Sequence, residues 1–325
     1  MTMRNKLSLL FIFFFTQTLL FASDILTDYR LHGVVNLEQY MDKALSKPDY
    51  WYKYIQNRDT TFGYLESYNN VLTCNKNDAT LCVYKKSAGK TYKLSKKYSA
   101  FTGKNSGEKH KEGDLKTPTG IYKLTRKLSH VDPFYGPFAF VTSYPNTFDK
   151  YKKSNGHGIW IHGLPLNQER DTFTKGCIAI NNSDIENLDK SINIEKTLLI
   201  INSQDIEKNI SKKKLSFILA NLYAWRYAWI YNNIDDYLAF YSKDFKRFDG
   251  KNYDSFTHYK KRIFRKKEKK KIIFSDINVV PYPGTPNLFK VSFKEYYKSR
   301  SFEFTGNKVL IVKLTDKQFK ILTEK

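Results

Sequence analysis

Two short apolar runs meet chemistry at their ends. Ile159-Trp160-Ile161-His162 finishes on a histidine, and fifteen residues after it Cys177 opens Cys177-Ile178-Ala179-Ile180. Each run has the length and pattern of a short buried strand. The chain between them must therefore turn out at Gly163-Leu164-Pro165 and return through Phe173-Thr174-Lys175-Gly176. A strand-loop-strand of this kind can bring an imidazole beside a thiol. The thiolate is the nucleophile, and a neighbouring imidazole makes it available near neutral pH. Gly176 permits a bend that aims its own amide and that of Cys177 at a tetrahedral oxyanion. On residue types alone, a structural histidine and a buried thiol are the competing reading.

Residues 1–23 read as an export signal. Arg4 and Lys6 form a basic start, Leu7 to Phe15 is almost wholly apolar, and Leu19-Leu20-Phe21-Ala22-Ser23 ends in small residues before Asp24. The apolar part is too short for about 30 Å of hydrocarbon, and Thr16-Gln17-Thr18 interrupts it, which argues against a membrane anchor. Losing Arg4 and Lys6 with that segment lowers the formal charge from +23 only to +21. In the cytosol such an excess would suggest nucleic acid. On an exported chain it suggests an anionic envelope surface or polymer approached by long-range attraction. An oxidising compartment also makes a Cys74–Cys82 disulfide one of two readings, the other being two small buried hydrophobes. Cys177 is then the odd thiol.

Three textures follow. Residues 24–68 are helical and aromatic: Asn36 can cap Leu37–Leu45, and Pro48 suits the first turn of a helix through Trp51, Tyr52, Tyr54 and Ile55. This piece is too small to bury a core alone, so it should pack on a neighbour or on a second subunit, as in a homodimer. Residues 69–203 are mainly β, with a hairpin at Val71–Cys74 and Thr80–Tyr84. Further strands fall at Thr91–Phe101, Gly120–Leu124, Phe138–Thr142, Gly158–His162 and Thr197–Ile201, with a helix capped by Asn182 or Ser183. Residues 204–325 begin with an aromatic helix over Leu215–Tyr231 and a second at Ile234–Tyr241. The basic run Tyr259–Lys271 and three β segments, Ile272–Val280, Leu288–Lys298 and Lys308–Leu314, complete them. The whole is an α+β chain with a curved C-terminal sheet.

The wider pattern resembles the L,D-transpeptidase (YkuD-like) catalytic domain of bacterial cell walls. The resemblance covers residues 69–203 and rests on Thr102-Gly103-Lys104, Lys116-Thr117-Pro118-Thr119-Gly120-Ile121-Tyr122, Gly158–Gly163, Thr174–Ile180 and Asn182-Ser183-Asp184-Ile185, in that order. It implies a mostly β domain with Cys177 as nucleophile, His162 as base and the Gly163 carbonyl orienting the imidazole. It implies no cofactor and no metal. Trp160, His157, Lys175, Thr174 and Ala179 are the candidate substrate-facing residues. Two positions depart from the pattern: Lys175 stands where many members have His, and Ala179 where many carry Arg. The arrangement of signal, appendage, catalytic domain and basic C-terminal domain is similar to that of the peptidoglycan L,D-carboxypeptidases that set the shape of helical bacteria. Residues from about 215 onward resemble an NTF2-like domain.

That resemblance implies a periplasmic enzyme that trims tetrapeptide stems to tripeptides. Cross-linking of two stems is the alternative, and a non-catalytic wall-binding protein is the alternative of another class. For zinc, His157 and His162 alternate onto opposite strand faces and the paired-ligand spacing is missing. For a nuclease, the sequence has no paired acidic cluster suited to phosphate chemistry. Lys260, Lys261, Arg262, Arg265, Lys266 and Lys267, with Tyr259 and Phe264 as apolar anchors, are the expected contacts to anionic wall polymer. A solvated basic face is the competing reading.

Overall fold

The computed structural model describes the backbone of residues 4–167, 171–315 and 318–325, and side chains from residue 25 onward within those ranges. The side chains of the expected export signal lie outside the described residues. Among the described residues, no helix is long and apolar enough to cross a membrane.

Helix α1 (Arg4–Leu45) breaks its regular geometry at Gly33, whose φ of 75° only glycine adopts readily. The run is two helices joined across that kink, so Asn36 lies in the first turn of the second, close to the start the sequence suggests. In α2 (Pro48–Ile55) the proline takes the first turn as its sequence suggests, and Trp51 and Ile55 share the buried face one turn apart. A short strand, β1 (Tyr64–Leu65), follows.

Eight strands then close a barrel. In chain order they are β2 (Asn70–Asn75), β3 (Thr80–Lys86), β4 (Tyr92–Phe101), β5 (Gly120–Leu128), β6 (Ala139–Thr142), β7 (Trp160–His162), β8 (Ile178–Ile180) and β9 (Thr197–Asn202). Around the barrel the order is β2-β3-β4-β8-β7-β6-β5-β9. Helices α3 (Thr147–Tyr151) and α4 (Asn182–Ser191) sit in its connections. Strand alternation sorts side chains into two cores. Leu72, Tyr122 and Leu199 join one cluster with Ile161, Ile178 and Ile180. Their neighbours Val71, Ile121, Leu198 and Ile200 join another that also takes in Val280, Tyr282 and Leu288 from the C-terminal sheet.

The same alternation disposes of the disulfide. Cys74 pairs across the hairpin with Leu81 and Cys82 with Thr73, so the two sulfurs point to opposite faces. Both thiols are free, and burial pushes that of Cys74 up to about 12.

The C-terminal unit comprises α5 (Lys212–Ile230), α6 (Ile234–Ala239), α7 (Tyr253–Phe264), β10 (Lys271–Pro281), β11 (Leu288–Lys298), β12 (Glu303–Thr315) and β13 (Gln318–Glu324). Its sheet runs β1-β10-β11-β12-β13, so one more closing strand is present than the three the sequence suggests, and the N-terminal segment supplies an edge. Register shifts at Ser275/Asn278 and Ile311/Val312 are of the kind that bends a sheet.

The aromatics of α5 divide by helical spacing. Trp225 and Trp229 are core, while Tyr223 meets Trp51 at 5.0 Å, and Tyr227 and Tyr231 bond Gln39 and Asp42 of α1. Asp42 also pairs with Arg226 at 2.6 Å. The helical appendage thus finds its core partner within the same chain.

Helix α7 corrects the basic-run reading. Phe256, Lys260 and Phe264, four residues apart, form its buried face. Lys260 lies over the rings of Trp229 and Tyr237 at 4.7 and 5.1 Å, and burial lowers its pKa to about 8. Neither Lys260 nor Phe264 is a surface contact. Lys261, Arg262, Arg265, Lys266 and Lys267 are exposed, whereas Tyr259 is half-buried against the core.

Candidate active site

Strands β7 and β8 run parallel, with Ile161 opposite Ile178 and His162 opposite Ala179. A parallel pair needs a crossover of about a dozen residues or more, and residues 163–176 supply it. Because Ile161, Ile178 and Ile180 point into the barrel core, Trp160, His162, Cys177 and Ala179 share the other face. The histidine and the cysteine therefore meet diagonally, with Ala179 beside the imidazole, and not across a hairpin.

The imidazole is held firmly. His162 is 1% exposed, and its Nδ1 lies 2.7 Å from the Gly163 carbonyl oxygen. A carbonyl only accepts, so Nδ1 carries the hydrogen and Nε2 is the basic nitrogen of the neutral ring. The Tyr135 ring stands 5.0 Å from the imidazole at 90° and 5.1 Å from the Trp160 ring. Gly163 donates its amide to the Tyr135 carbonyl at 3.0 Å. Asn182 Oδ1 accepts from the Leu164 amide at 2.8 Å and lies 2.3 Å from where a Cβ on Gly163 would stand, so that glycine is a steric requirement.

Cys177 is half-buried. Its Sγ accepts from the Trp160 amide at 3.4 Å and donates to the Gly158 carbonyl at 3.3 Å. A thiolate only accepts, so ionisation would keep the first bond and lose the second. The turn before it is fixed by Thr174, whose hydroxyl accepts from the Gly176 amide at 2.9 Å and donates to the Cys177 carbonyl at 2.7 Å. The Gly176 amide, one of the two expected oxyanion donors, is thus bonded to Thr174 within the turn. Gly176 has φ +130°, and a Cβ there would stand 2.8 Å from the Lys116 carbonyl oxygen.

The other expected substrate contacts scatter. Thr174 and Ala179 are buried, Ala179 with 0% exposure. Trp160 is half-buried, Lys175 is exposed, and His157 is exposed with its Nδ1 3.6 Å from Glu112.

A buried ion pair supports the turn from behind. Lys109 meets Asp114 at 2.6 Å, and Asp114 also accepts from the amides of His110, Lys111 and Lys116. Burial alone would raise the Asp114 pKa, but these donors outweigh it and bring it down to about 2. A depressed carboxylate stabilises above its unfolded pKa and loses that contribution as pH falls through the folded one. Asp114→Asn should therefore lower the melting temperature at pH 7, and the gap to the parent chain should close as pH falls from about 4 to 2. Melting curves across that range check it.

Residues 69–201 match the model of the L,D-transpeptidase catalytic domain (YkuD), and residues 217–325 that of the Cds6 C-terminal NTF2-like domain. The crystal structure of the helical cell shape determining protein Pgp2 from Campylobacter jejuni is similar over 86% of this chain and 99% of its own, at 38% identity and a TM-score of 0.79. The chain belongs to the L,D-transpeptidase family. Bd1075 from Bdellovibrio bacteriovorus is also similar, at 27% identity and a TM-score of 0.63, over 82% of this chain and 96% of its own. The putative L,D-transpeptidase YafK of Escherichia coli is 31% identical over 115 residues, 35% of this chain, which span 43% of that relative's length.

Around His162 and Cys177, sequence reasoning missed Tyr135 and undervalued Asn182. The run Asp132-Pro133-Phe134-Tyr135-Gly136-Pro137 was the available signal, a capped turn carrying aromatics between two prolines. Asn182 begins α4 but its oxygen serves Leu164, and Asn181 takes the cap position.

Proposed function

We propose that the chain is a periplasmic peptidoglycan L,D-carboxypeptidase that removes the terminal D-alanine from tetrapeptide stems. The observation that carries this is the shared outward face of Cys177 and His162, with Nδ1 of the imidazole tied to Gly163. His162 Nε2 takes the thiol proton, and Sγ attacks the carbonyl carbon before the D-alanine. The Cys177 amide stabilises the oxyanion. The tetrahedral adduct collapses, the C–N bond breaks, and His162 returns the proton to the departing amine. Water, deprotonated by the same imidazole, then cleaves the thioester and frees the tripeptide and the thiol.

Water is favoured over a second stem's amine because Ala179 stands opposite His162 where many relatives carry arginine. The likeness to a cell-shape protein supports a role in cell shape. The test is D-alanine release from a soluble tetrapeptide stem. Stoichiometric D-alanine and tripeptide support the reading, and no release from the intact chain defeats it.

The exposed cations at Lys261, Arg262, Arg265, Lys266 and Lys267 support attachment to anionic wall polymer. Reversing Lys261, Arg265 and Lys267 should weaken pelleting with purified sacculi about as much as added salt does, since exposed charges are screened beyond ~10 Å at 0.1 M salt. Unchanged pelleting would remove this role. Leu31, Val34, Val35 and Tyr40 of α1 are exposed, which supports a homodimer through that helix. Sedimentation should then give twice the chain mass, shifting to one chain mass in Leu31→Lys/Val35→Lys; a monomeric parent chain would refute it.

A further inference from the structure

Between the barrel and the C-terminal sheet lies a cavity of about 480 Å³ that shares no residue with the Cys177–His162 site. From the barrel side it is lined by Lys123, Lys150 and Lys153, and from the C-terminal side by Lys246, Arg247 and Lys290. No Asp or Glu side chain lines it. Tyr151, Phe248 and Ile311 supply apolar wall.

Lys290 is the centre of the argument. It lies in β11 between Val280 and Ile311, is 7% exposed, and reaches across the domain junction to donate to the Ile121 carbonyl at 3.2 Å. Among the described residues it has no ion pair, and neither do Lys123, Lys150, Lys153 and Lys246. Arg247 has Asp249 and Glu324 as partners, at 3.3 and 3.8 Å. The nearby carboxylate of Asp149 accepts from the Asn146 amide and the Tyr122 hydroxyl through Oδ2, and its Oδ1 lies 3.9 Å from Lys152 with no hydrogen bond. The Lys325 main-chain oxygen accepts from the Val309 amide.

A buried ammonium with no counter-ion is costly to hold charged. Burial, with Lys123 adding repulsion that the attraction of Asp149 offsets only in part, brings the Lys290 pKa down to about 7. A barrel-to-sheet junction filled with apolar residues would avoid that cost, and the chain does fill the adjoining junction that way with Ile121, Ile200, Val280 and Leu288. A cationic cavity in that setting is complementary to an anion, and a single carboxylate would leave most of its charge unmatched.

We propose that this interdomain cavity binds a small anion carrying two or more negative charges, with Lys290 at its floor and Lys150 and Lys246 at its rim. A phosphoryl group and a cluster of carboxylates share that chemistry. Calorimetric titration of the full chain with inorganic pyrophosphate, and in parallel with tricarballylate, separates them. At least one probe should saturate and raise the melting temperature, and the one that binds more tightly gives the anion class.

Affinity should fall by about tenfold or more in Lys290→Met, each lost charge-assisted bond being worth ~1.5–3 kcal/mol. The exposed pair Lys150→Glu/Lys246→Glu should give a similar loss without touching buried packing. Failure of both probes to saturate overturns the proposal. So does saturable binding that the rim variant leaves unchanged, because the anion then sits elsewhere. D-alanine release is not the readout, so this outcome and that of the catalytic reading are independent.

Discussion

Cys177→Ala should fold, bind stem peptide and release no D-alanine, a loss on the order of 10³-fold or more, as expected when a covalent nucleophile is removed. The side chain is half-buried, and its two hydrogen bonds are long contacts of sulfur with the Trp160 amide and the Gly158 carbonyl. Their loss should move the melting temperature little, because the strand that follows is anchored by Ile178 and Ile180 in the barrel core. Thr174 continues to close the turn through the Cys177 carbonyl, which the substitution keeps. Steady-state D-alanine release and peptide binding, measured on the same preparation, check both halves. Normal turnover by this variant would remove Cys177 from the chemistry.

The largest stability effect is expected from Trp225→Ala. Trp225 is fully buried, stacks with Tyr237 and Phe274 at 5.7 and 6.0 Å, and donates its indole N–H to Tyr241 at 3.2 Å. Truncating a core aromatic of this size costs about 3–5 kcal/mol. Tyr241 belongs to a buried chain of hydroxyls and acid with Tyr237 and Glu324, so loss of the indole also disturbs a polar network. Trp225→Phe should cost less, since it keeps a ring and loses the hydrogen bond. Urea unfolding should show this order; equal midpoints for Trp225→Ala and the parent chain would contradict the core assignment.

The sequence was most legible where a side-chain period was clean. The β2–β3 hairpin, β11 and the span of α5 follow from alternation or helical spacing, and α2 from its proline. Where the reading went wrong, a period was usually present but unused. Cys74 and Cys82 straddle an even hairpin register, which puts them on opposite faces. Phe256, Lys260 and Phe264 recur every four residues, the mark of a buried helix face, yet the density of charge hid it. In β13, Phe319, Ile321 and Thr323 alternate inward, and Leu322 between them packs on the other core, so the polar residues around them hide the strand.

The nearness of His162 and Cys177 was legible in the sequence, but its geometry was not. A loop of residues 163–176 is long enough for either a hairpin or a crossover, and only the parallel pairing of β7 with β8 decides between them. The contacts of Tyr135 and Asn182 come from segments distant in sequence; the run at residues 132–137 marks a capped aromatic turn but not what that turn packs against. The role of Thr174 is of the same kind. Its hydroxyl spends the Gly176 amide, a fact fixed by the turn's closure and invisible in the order of residues.

The most direct test of the central claim is mass spectrometry of muropeptides released from purified sacculi before and after incubation with the intact chain, with Cys177→Ala as control. Conversion of tetrapeptides to tripeptides with equivalent free D-alanine, absent in the control, is the predicted result. New cross-linked dimers at the expense of tetrapeptide monomers, or a tetrapeptide pool that does not change, would contradict it.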